Sequence, residues 1–569
     1  MKKVGLIGAL SLLALLAAGV AGVHRWFNPP PPPVQLFTNG TILTMDPGNP
    51  RADAMLVKRG EIVALGDSDA LRDQVSRDVR VVDLQGGVLM PGFIEAHGHF
   101  PGEGLSAVAV DANSPPIGDL DSIATLLERL RTLSQRRLDG ALLAYGFDDT
   151  TVSDQRYPTR AELDTISDTR PIMVLHISGH LGVVNSAALK AMSISENVED
   201  PPGGYYGRDD DGRLNGLLAE TAFNPVRANI LKLSAIDGYR VMRRASRLYL
   251  SRGITFAQNG LADTTTIKAL VPALRFGLIP LRLSVWPGAA AEEARKDGQW
   301  TLPEGERIHL GPVKLVSDGS LQGYTGFLEE PYYRVPDDHP PEYLGFPNQS
   351  PQQLARQVVQ FHCAGRQTAI HANGDAAITM SLDAVAQARQ QCPEVAVQPV
   401  LIHAQMATRD QLARMQALDV IPSFFNNHVY YWGDRHRDLF LGPERASRIS
   451  PLAEAAEQGL RFTLHADSPV VPFQPLQLVW NAVERRTASG DLLGPQQAIS
   501  VERALQAVTV DAARQLGVDD RVGQLRIGKR ADLVWLDRDP REFIGDWSSI
   551  QVRGTWVDGV RRYPERIAE

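Results

Sequence analysis

Eight short apolar segments, each about the length of a buried strand, recur along the chain, and helical stretches separate most of them. They cover residues 88–96, 253–258, 281–286, 313–316, 368–370, 400–402, 420–425 and 461–464. Helical connectors are expected at residues 350–364, 376–391, 408–418 and 449–458. Strands that alternate with helices indicate a parallel sheet with helical crossovers. Eight such units predict an α/β fold, a (β/α)8 TIM barrel, whose active site lies at the carboxyl ends of the strands.

The two ends of the chain have a different pattern, with short strands interrupted by turns. Residues 34–87 and residues 523–569, with a strand expected at 523–527, each contain too few strands to bury a sheet face alone. We therefore expect the two ends to pair in one small β-sandwich beside a barrel domain at residues 88–522. The long gap after the first barrel strand, about residues 101–250, is interpreted as an inserted lid over the site.

The N-terminus is typical of a targeting segment. Lys2 and Lys3 precede an uncharged run at residues 4–23, and prolines fill residues 29–33. A short positive region before an apolar run is the pattern of a signal peptide. The run is also long enough to serve as an uncleaved membrane anchor. Residues 1–33 therefore predict export to the periplasm or the cell exterior, with or without a membrane tether.

Composition excludes some classes of partner. The chain has 569 residues and a net charge of −8, without a basic cluster, which argues against nucleic acid as the partner. Its length predicts more than one domain. Two cysteines, Cys363 and Cys392, are too few for a disulfide scaffold or a cysteine-only zinc site, and whether they pair is left open.

Two histidines close the first strand of the predicted barrel. His97 and His99 follow an apolar run and are separated by Gly98. Side chains two residues apart on a strand point to the same face, so the two imidazoles can bind one metal ion together. The alternative is that two polar residues simply end a strand.

Polar residues at the other strands favour the metal site. Lys314 lies within the fourth apolar segment, His371 and His403 follow the fifth and sixth, and His465 and Asp467 follow the eighth. A barrel brings the carboxyl ends of its strands together. These side chains are therefore expected to meet His97 and His99.

The sequence resembles the amidohydrolase superfamily of metal-dependent hydrolases, and within it the branch of N-substituted formamide deformylases and D-aminoacylase-like enzymes. The resemblance extends from about residue 34 to about residue 559. It rests on segments at residues 90–99, 179–189, 314–320, 371–377, 402–405, 466–470 and 528–534. It implies a (β/α)8 barrel and a β-sandwich built from both chain ends, in agreement with the pattern above.

The resemblance also implies roles for the strand-end residues. His97 and His99 would hold one metal ion, and His371 and His403 a second. Lys314 would bridge them as a carbamate formed with carbon dioxide, because a carbamate is an anionic oxygen ligand whereas an ammonium is repelled by dications. Zinc suits the mixed nitrogen and oxygen donors, with one or two ions bound.

Asp467 is the expected catalytic residue. It would bind the first metal, take the proton of the attacking water and pass it to the leaving amine. His465 competes with it for this role, or supports a neighbouring ligand. His180, His428 and Trp432 are the candidate substrate contacts, whereas Glu220 is interpreted as structural.

The chain is thus expected to be an exported metal-dependent amidohydrolase that cleaves an amide-type, non-peptide carbon–nitrogen bond of a small molecule. Two alternatives are open. The same site could hydrolyse an ester or a cyclic amide, or the protein could be a non-catalytic exported barrel. The oligomeric state is left open.

Overall fold

The computed structural model describes residues 28–76, 79–137, 139–303, 305, 307–336, 339–542 and 547–564. The predicted targeting run at residues 4–23 lies outside these residues. Among the residues that the structure does describe, no helix has the length and apolar character needed to cross a membrane.

In the described part of the chain, the eight predicted strands are present and run parallel to their neighbours. Numbered in chain order, they are β1 (Phe93–Ile94), β2 (Ile254–Ala262), β3 (Arg282–Pro287), β4 (Val313–Val316), β5 (Thr368–Ala372), β6 (Val400–His403), β7 (Ile421–Phe424) and β8 (Thr463–Leu464). β1 to β3 form one sheet, in which the outer strand Ile308–Leu310 pairs with β3, and β4 to β8 form another. Parallel bridges at Gly288–Lys314 and Gly98–Ser468 connect the two sheets.

Helices follow most of these strands, and the four predicted connectors are confirmed to within a few residues. The helices of this region are Thr264–Arg275, Ala289–Lys296, Pro351–Cys363, Asp375–Gln391, Arg409–Ala417, His428–Arg435, Gly442–Ala446, Leu452–Glu457, Pro475–Glu484, Val501–Ala507 and Val510–Gln515, with a π-helical turn at His436–Phe440. Side-chain hydrogen bonds cap the N-termini of several of these helices. Ser350 caps Pro351–Cys363, and Thr408 forms a capping box with Gln411 at the start of Arg409–Ala417.

Strands from both chain ends lie in one sheet. Its order is Val560–Tyr563, Val552–Val557, Leu533–Leu536, Val88–Pro91, Thr41–Leu43 and Arg51–Ala52. A second sheet has the order Glu61–Gly66, Ala54–Lys58, Val34–Thr38 and Arg80–Asp83, and the short helix Ser68–Arg72 packs beside it. The two sheets share a hydrophobic cluster in which the rings of Phe37 and Trp556 meet edge to face at 5.5 Å.

Two strand predictions were wrong in detail. The run at residues 88–96 is divided at Gly92, so that Val88–Pro91 belongs to the chain-end sheet and only Phe93–Ile94 to the central strands. Glycine is needed at the division because a Cβ there would lie 2.2 Å from Thr255 Cγ2. Residues 523–527 form no strand, since Leu525 N–H bonds to Thr44 without a continuing ladder.

The inserted segment has a six-stranded sheet of its own. Its order is Gly204–Arg208, Leu214–Glu220, Leu181–Val184, Ile172–His176, Leu142–Phe147 and Val110–Asp111. The helices of this region are Ile123–Arg136, Arg160–Asp164, Ser186–Ala191, Asn224–Ile230 and Ala235–Ser251. Two hydrophobic clusters cover its faces, so the segment has a core apart from the main one.

A disulfide and a group of buried ion pairs link residues that are distant in sequence. Cys363 and Cys392 form a disulfide between the ends of the helices that flank β5, which settles the question that the sequence left open. Arg282, on β3, is 1% exposed and donates from Nε to Asp532 Oδ2 at 2.6 Å, and it also contacts Asp558. These aspartates belong to the C-terminal segment, so the ion pairs join it to the central strands.

Candidate metal centre

Three side chains converge where β1 and β8 end. Nε2 of His97 and Nε2 of His99 each lie 3.2 Å from Asp467 Oδ1. A backbone hydrogen bond of 2.6 Å from His99 to Ser468 holds the two segments side by side. The three ligand atoms all lie within 4.8 Å of one another, as they must to share one ion.

Three further predicted residues lie against this group. His371 Nδ1 and His403 Nε2 are 3.0 Å apart at the ends of β5 and β6, and His403 Nε2 is 3.8 Å from Asp467 Oδ2. Lys314 Nζ, on β4, is 3.1 Å from His97 Nε2. The structure therefore brings together all six residues for which the sequence analysis predicted a metal-binding role.

His97, His99 and Asp467 offer donor atoms that suit a metal ion. Asp467 Oδ1 is buried and accepts no hydrogen bond from the residues that the structure describes, although two imidazole nitrogens lie 3.2 Å away. An unsatisfied buried carboxylate oxygen is costly. Two imidazoles and a carboxylate are donors that zinc and similar divalent ions accept.

The electrostatics of the site agree with this donor set. Burial and the nearby Lys314 lower the pKa of the His97 imidazole to about 3. Burial alone would raise the pKa of Asp467, but His97 and His99 outweigh that effect and hold it well below its ordinary value. Burial also lowers the pKa of Lys314 to about 8. A neutral imidazole and a charged carboxylate are the protonation states that bind metal.

Hydrogen bonds aim the imidazoles at the shared space. His97 Nδ1 lies 3.2 Å from Gln258 Oε1, and Gln258 Nε2 in turn donates to Ala96 O at 2.8 Å. The amide oxygen therefore accepts from Nδ1–H and leaves Nε2 free for a ligand bond. Gly98 allows the Glu95 side chain to approach the backbone closely, since a Cβ there would lie 2.1 Å from Glu95 Oε1.

The second histidine pair is oriented in the same way. His371 Nε2 is 3.0 Å from Gly319 O, so this nitrogen donates and Nδ1 faces His403. His465 Nε2 is 3.1 Å from His403 Nδ1, and its own Nδ1 is 2.9 Å from Ser423 Oγ. His465 thus lies behind His403, which favours a supporting role over the competing role as a ligand.

Three polar residues at the site have left-handed backbone conformations. His403, Asp467 and Glu220 have φ values of 74°, 51° and 51°. Such conformations are strained for residues with a side chain and concentrate at functional sites. Two of the three strained residues, His403 and Asp467, are predicted metal ligands.

His180 reaches the same site from the inserted segment. Its ring centroid is 5.2 Å from that of His371, and its Nδ1 is 2.9 Å from Glu220 Oε2. Burial opposes protonation of His180, but the Glu220 carboxylate raises its pKa above the ordinary value. Glu220, which the sequence predicts to be structural, thus lies next to a candidate substrate contact. An acidic residue that ends the apolar strand Leu214–Glu220 was the available signal.

The other two candidate substrate contacts are buried. Trp432 is 1% exposed, and its indole N–H donates to Asp148 at 3.3 Å. His428 is 3% exposed, and its Nδ1 is 3.1 Å from His436 Nε2. Both rings belong to the helix after β7, and their contact with substrate stays a prediction.

Known proteins of similar sequence and fold agree with a hydrolase site. A family model described as "Amidohydrolase family" matches residues 80–563. The chain is 28% identical over 547 residues to an N-substituted formamide deformylase from Arthrobacter pascens, covering 93% of this chain and 98% of the relative.

Two solved structures, each described as an uncharacterized metal-dependent hydrolase, have similar folds. The protein from Pyrococcus horikoshii OT3 has a TM-score of 0.73 at 24% identity, covering 90% of this chain and 98% of its own. The protein from Pyrococcus furiosus has a TM-score of 0.70 at 25% identity, covering 90% and 100%.

Replacement of His97 and His99 should remove the metal ion that these two residues would share with Asp467. The double variant His97→Ala/His99→Ala removes two of three converging donors, so bound metal per chain, measured by inductively coupled plasma mass spectrometry, should fall. His309→Ala, on the outer strand Ile308–Leu310, is the matched control and should keep the wild-type content. Full metal content in the double variant would show that the two histidines merely end a strand.

Proposed function

The chain belongs to the amidohydrolase family, and from this premise we propose that it is a metal-dependent hydrolase of an amide-type carbon–nitrogen bond, N-formyl or N-acyl, in a small molecule. The observation that carries the proposal is the convergence of His97, His99 and Asp467 at the ends of β1 and β8. The similarity to a formamide deformylase supports the choice of an amide bond.

The proposal includes a finer architecture. The two central sheets would close into one eight-stranded barrel, with residues 101–250 as a cap over its mouth and the two chain ends (34–87 and 523–569) as a β-sandwich. The bridges Gly98–Ser468 and Gly288–Lys314 support closure, because the first joins the segments that follow the edge strands β1 and β8, and the second joins the residue after β3 to the edge strand β4. A crystal structure in which either edge is open would reject it.

The metal sites follow from the donor atoms. His97, His99 and Asp467 would hold one divalent ion, and His371 and His403 a second, with zinc favoured by the donor set. A bound ion of this kind supplies a Lewis acid that polarises the carbonyl and lowers the pKa of water. Gln258 and His465 would keep the nitrogens of His97 and His403 directed at the ions.

Asp467 would move the proton. Its carboxylate is charged at neutral pH and lies among the ligands, so it can accept a proton from the attacking water and release it to the departing amine. His180 would contact the substrate from the side of the inserted segment, and Trp432 and His428 would support the pocket wall.

A hydrolysis panel tests the proposed reaction. Metal-replete protein would be offered 4-nitroformanilide, 4-nitroacetanilide, 4-nitrophenyl acetate and dihydrouracil, with chelator-treated protein as the control. Metal-dependent release of 4-nitroaniline supports the proposal. Turnover of only the ester or the cyclic amide favours those alternatives, and a metal-loaded protein inactive on every compound favours a non-catalytic barrel.

Asp467→Asn should separate catalysis from binding. Asparagine keeps the shape and one oxygen but cannot take the proton. We expect kcat to fall by about 10²–10⁴, with KM changed far less because the lost interaction belongs to the transition state. His465→Ala is the comparison variant. If it abolishes turnover while Asp467→Asn retains it, the proton acceptor is the histidine.

Lys314 would carry the bridging carbamate. Its lowered pKa, about 8, leaves more of the neutral amine that reacts with carbon dioxide. Lys314→Ala should lose activity, and short carboxylic acids added with metal should restore part of it by occupying the vacated position. Full activity of Lys314→Ala without added acid would reject the bridging role.

The place of action is proposed to be outside the cytoplasm. Two features support it: the charged and apolar N-terminal run, and the Cys363–Cys392 disulfide, since disulfides persist mainly in oxidising compartments. Cell fractionation should recover the protein in the periplasmic, secreted or membrane fraction. Full-length protein in the soluble cytoplasm would contradict export.

A further inference from the structure

The pairing of two strands in the inserted segment places His180 beside Glu220. Leu181–Val184 and Leu214–Glu220 are antiparallel neighbours with Leu181 opposite Ala219. Glu220 N–H donates to His180 O at 2.8 Å, and His180 Nδ1 is 2.9 Å from Glu220 Oε2. The pair is therefore fixed by both backbone and side chain.

Glu220 has the surroundings of a residue that holds another group in place. It is 2% exposed, and its φ of 51° is a strained conformation for glutamate. Its Oε2 also accepts a long bond of 3.4 Å from Asn348. Its Oε1 has no hydrogen-bond partner among the residues described here and packs against Gly319, where a Cβ would lie 2.5 Å from it. The contact with His180 is thus the main polar interaction of a buried carboxylate.

The second nitrogen of His180 belongs to a partly exposed ring that lies beside the proposed metal ligands. The side chain is 20% exposed, and within the described part of the chain no hydrogen bond to its Nε2 is found. The ring lies 5.2 Å from the ring of His371, one of the proposed ligands. Because Nδ1 is occupied by Glu220, Nε2 is the atom of this ring that can meet a ligand bound at the centre.

A purely structural ion pair is the competing explanation. Such a pair would only stabilise the packing of two strands within the inserted segment. An apolar pair of similar volume would stabilise it at least as well, because buried charges lose their solvation. A structural pair also has no need of an exposed nitrogen beside a ligand histidine. The open Nε2 therefore favours a functional arrangement.

We propose that Glu220 is a positioning residue, which holds His180 so that its Nε2 contacts the substrate bound at the metal centre. This rests on the proposed function, and it assigns Glu220 a role through His180 instead of a structural one. A carboxylate that fixes the ring orientation of a histidine is a common device in functional sites.

A double-mutant cycle tests the coupling. Wild type, His180→Ala, Glu220→Ala and the double variant would be compared on 4-nitroformanilide and 4-nitroacetanilide. Each single change should lower kcat/KM by about 10–100-fold. The kcat/KM of the double variant should be no lower than that of the less active single variant, because the two residues act as one unit. Effects that multiply would overturn the proposal.

Conservative and matched variants separate positioning from folding. Glu220→Gln keeps an oxygen that can accept from Nδ1, so its kcat/KM should lie between those of wild type and Glu220→Ala. Glu196→Ala changes another glutamate of the same segment, half exposed and paired with Arg160, and should behave like wild type. Metal content should be unchanged in all variants. A Glu220→Gln variant as impaired as Glu220→Ala, or metal lost from both, would overturn the positioning role.

A binding measurement distinguishes failure of this inference from failure of the proposed function. If wild type hydrolyses neither anilide, the proposed reaction fails. The contact of His180 with a bound ligand can still be measured by calorimetry, with the metal-loaded protein and acetohydroxamate, a metal-chelating carbonyl analogue. Its Kd should rise by about tenfold in His180→Ala and in Glu220→Ala, and no further in the double variant. An unchanged Kd, or no binding by wild type, would overturn the contact.

Discussion

The register of the parallel ladder from β4 to β8 is the constraint on which the site depends. Val316 lies opposite His371, and Ala372 lies opposite His403, so polar residues at successive strand ends arrive at the same level. A slip of one residue would turn each side chain to the other face of its strand. The positions of Lys314, His371 and His403 are therefore set by the backbone hydrogen bonds of this ladder, whereas His97, His99 and Asp467 lie just beyond the ends of β1 and β8.

Much of this arrangement could be predicted, because its signals are local. The spacing of His97 and His99 and the histidines that follow apolar segments are visible in the sequence, and all meet in the structure. The division at Gly92 could not be predicted, since it depends on Thr255 and on strand partners far along the chain. The contact between Glu220 and His180 could not be predicted for the same reason: His180 lies forty residues earlier, and their proximity follows from a strand pairing that sequence alone does not specify.

The C-terminal segment is joined to the central strands by buried charges. Arg282 is buried at the start of β3, and its partners Asp532 and Asp558 lie next to the strands Leu533–Leu536 and Val552–Val557. Removal of one member of a buried ion pair typically costs about 3–5 kcal/mol, because the remaining charge is left unsolvated. A change at Asp532 or Asp558 can therefore weaken β3, which lies beside β2, and through β2 it can affect Gln258, which is hydrogen-bonded to His97.

The shared chain-end sheet has a consequence for the order of events during synthesis. Val88–Pro91 is made early, but its antiparallel partner Leu533–Leu536 emerges about 440 residues later. At ribosomal rates this delay is roughly 20–90 s. Throughout it, an apolar strand has an unpaired edge, which is a site for aggregation. Chaperones that keep the nascent chain unfolded until its last strands are available would thus protect the segment that leads directly into His97 and His99, the first two proposed metal ligands.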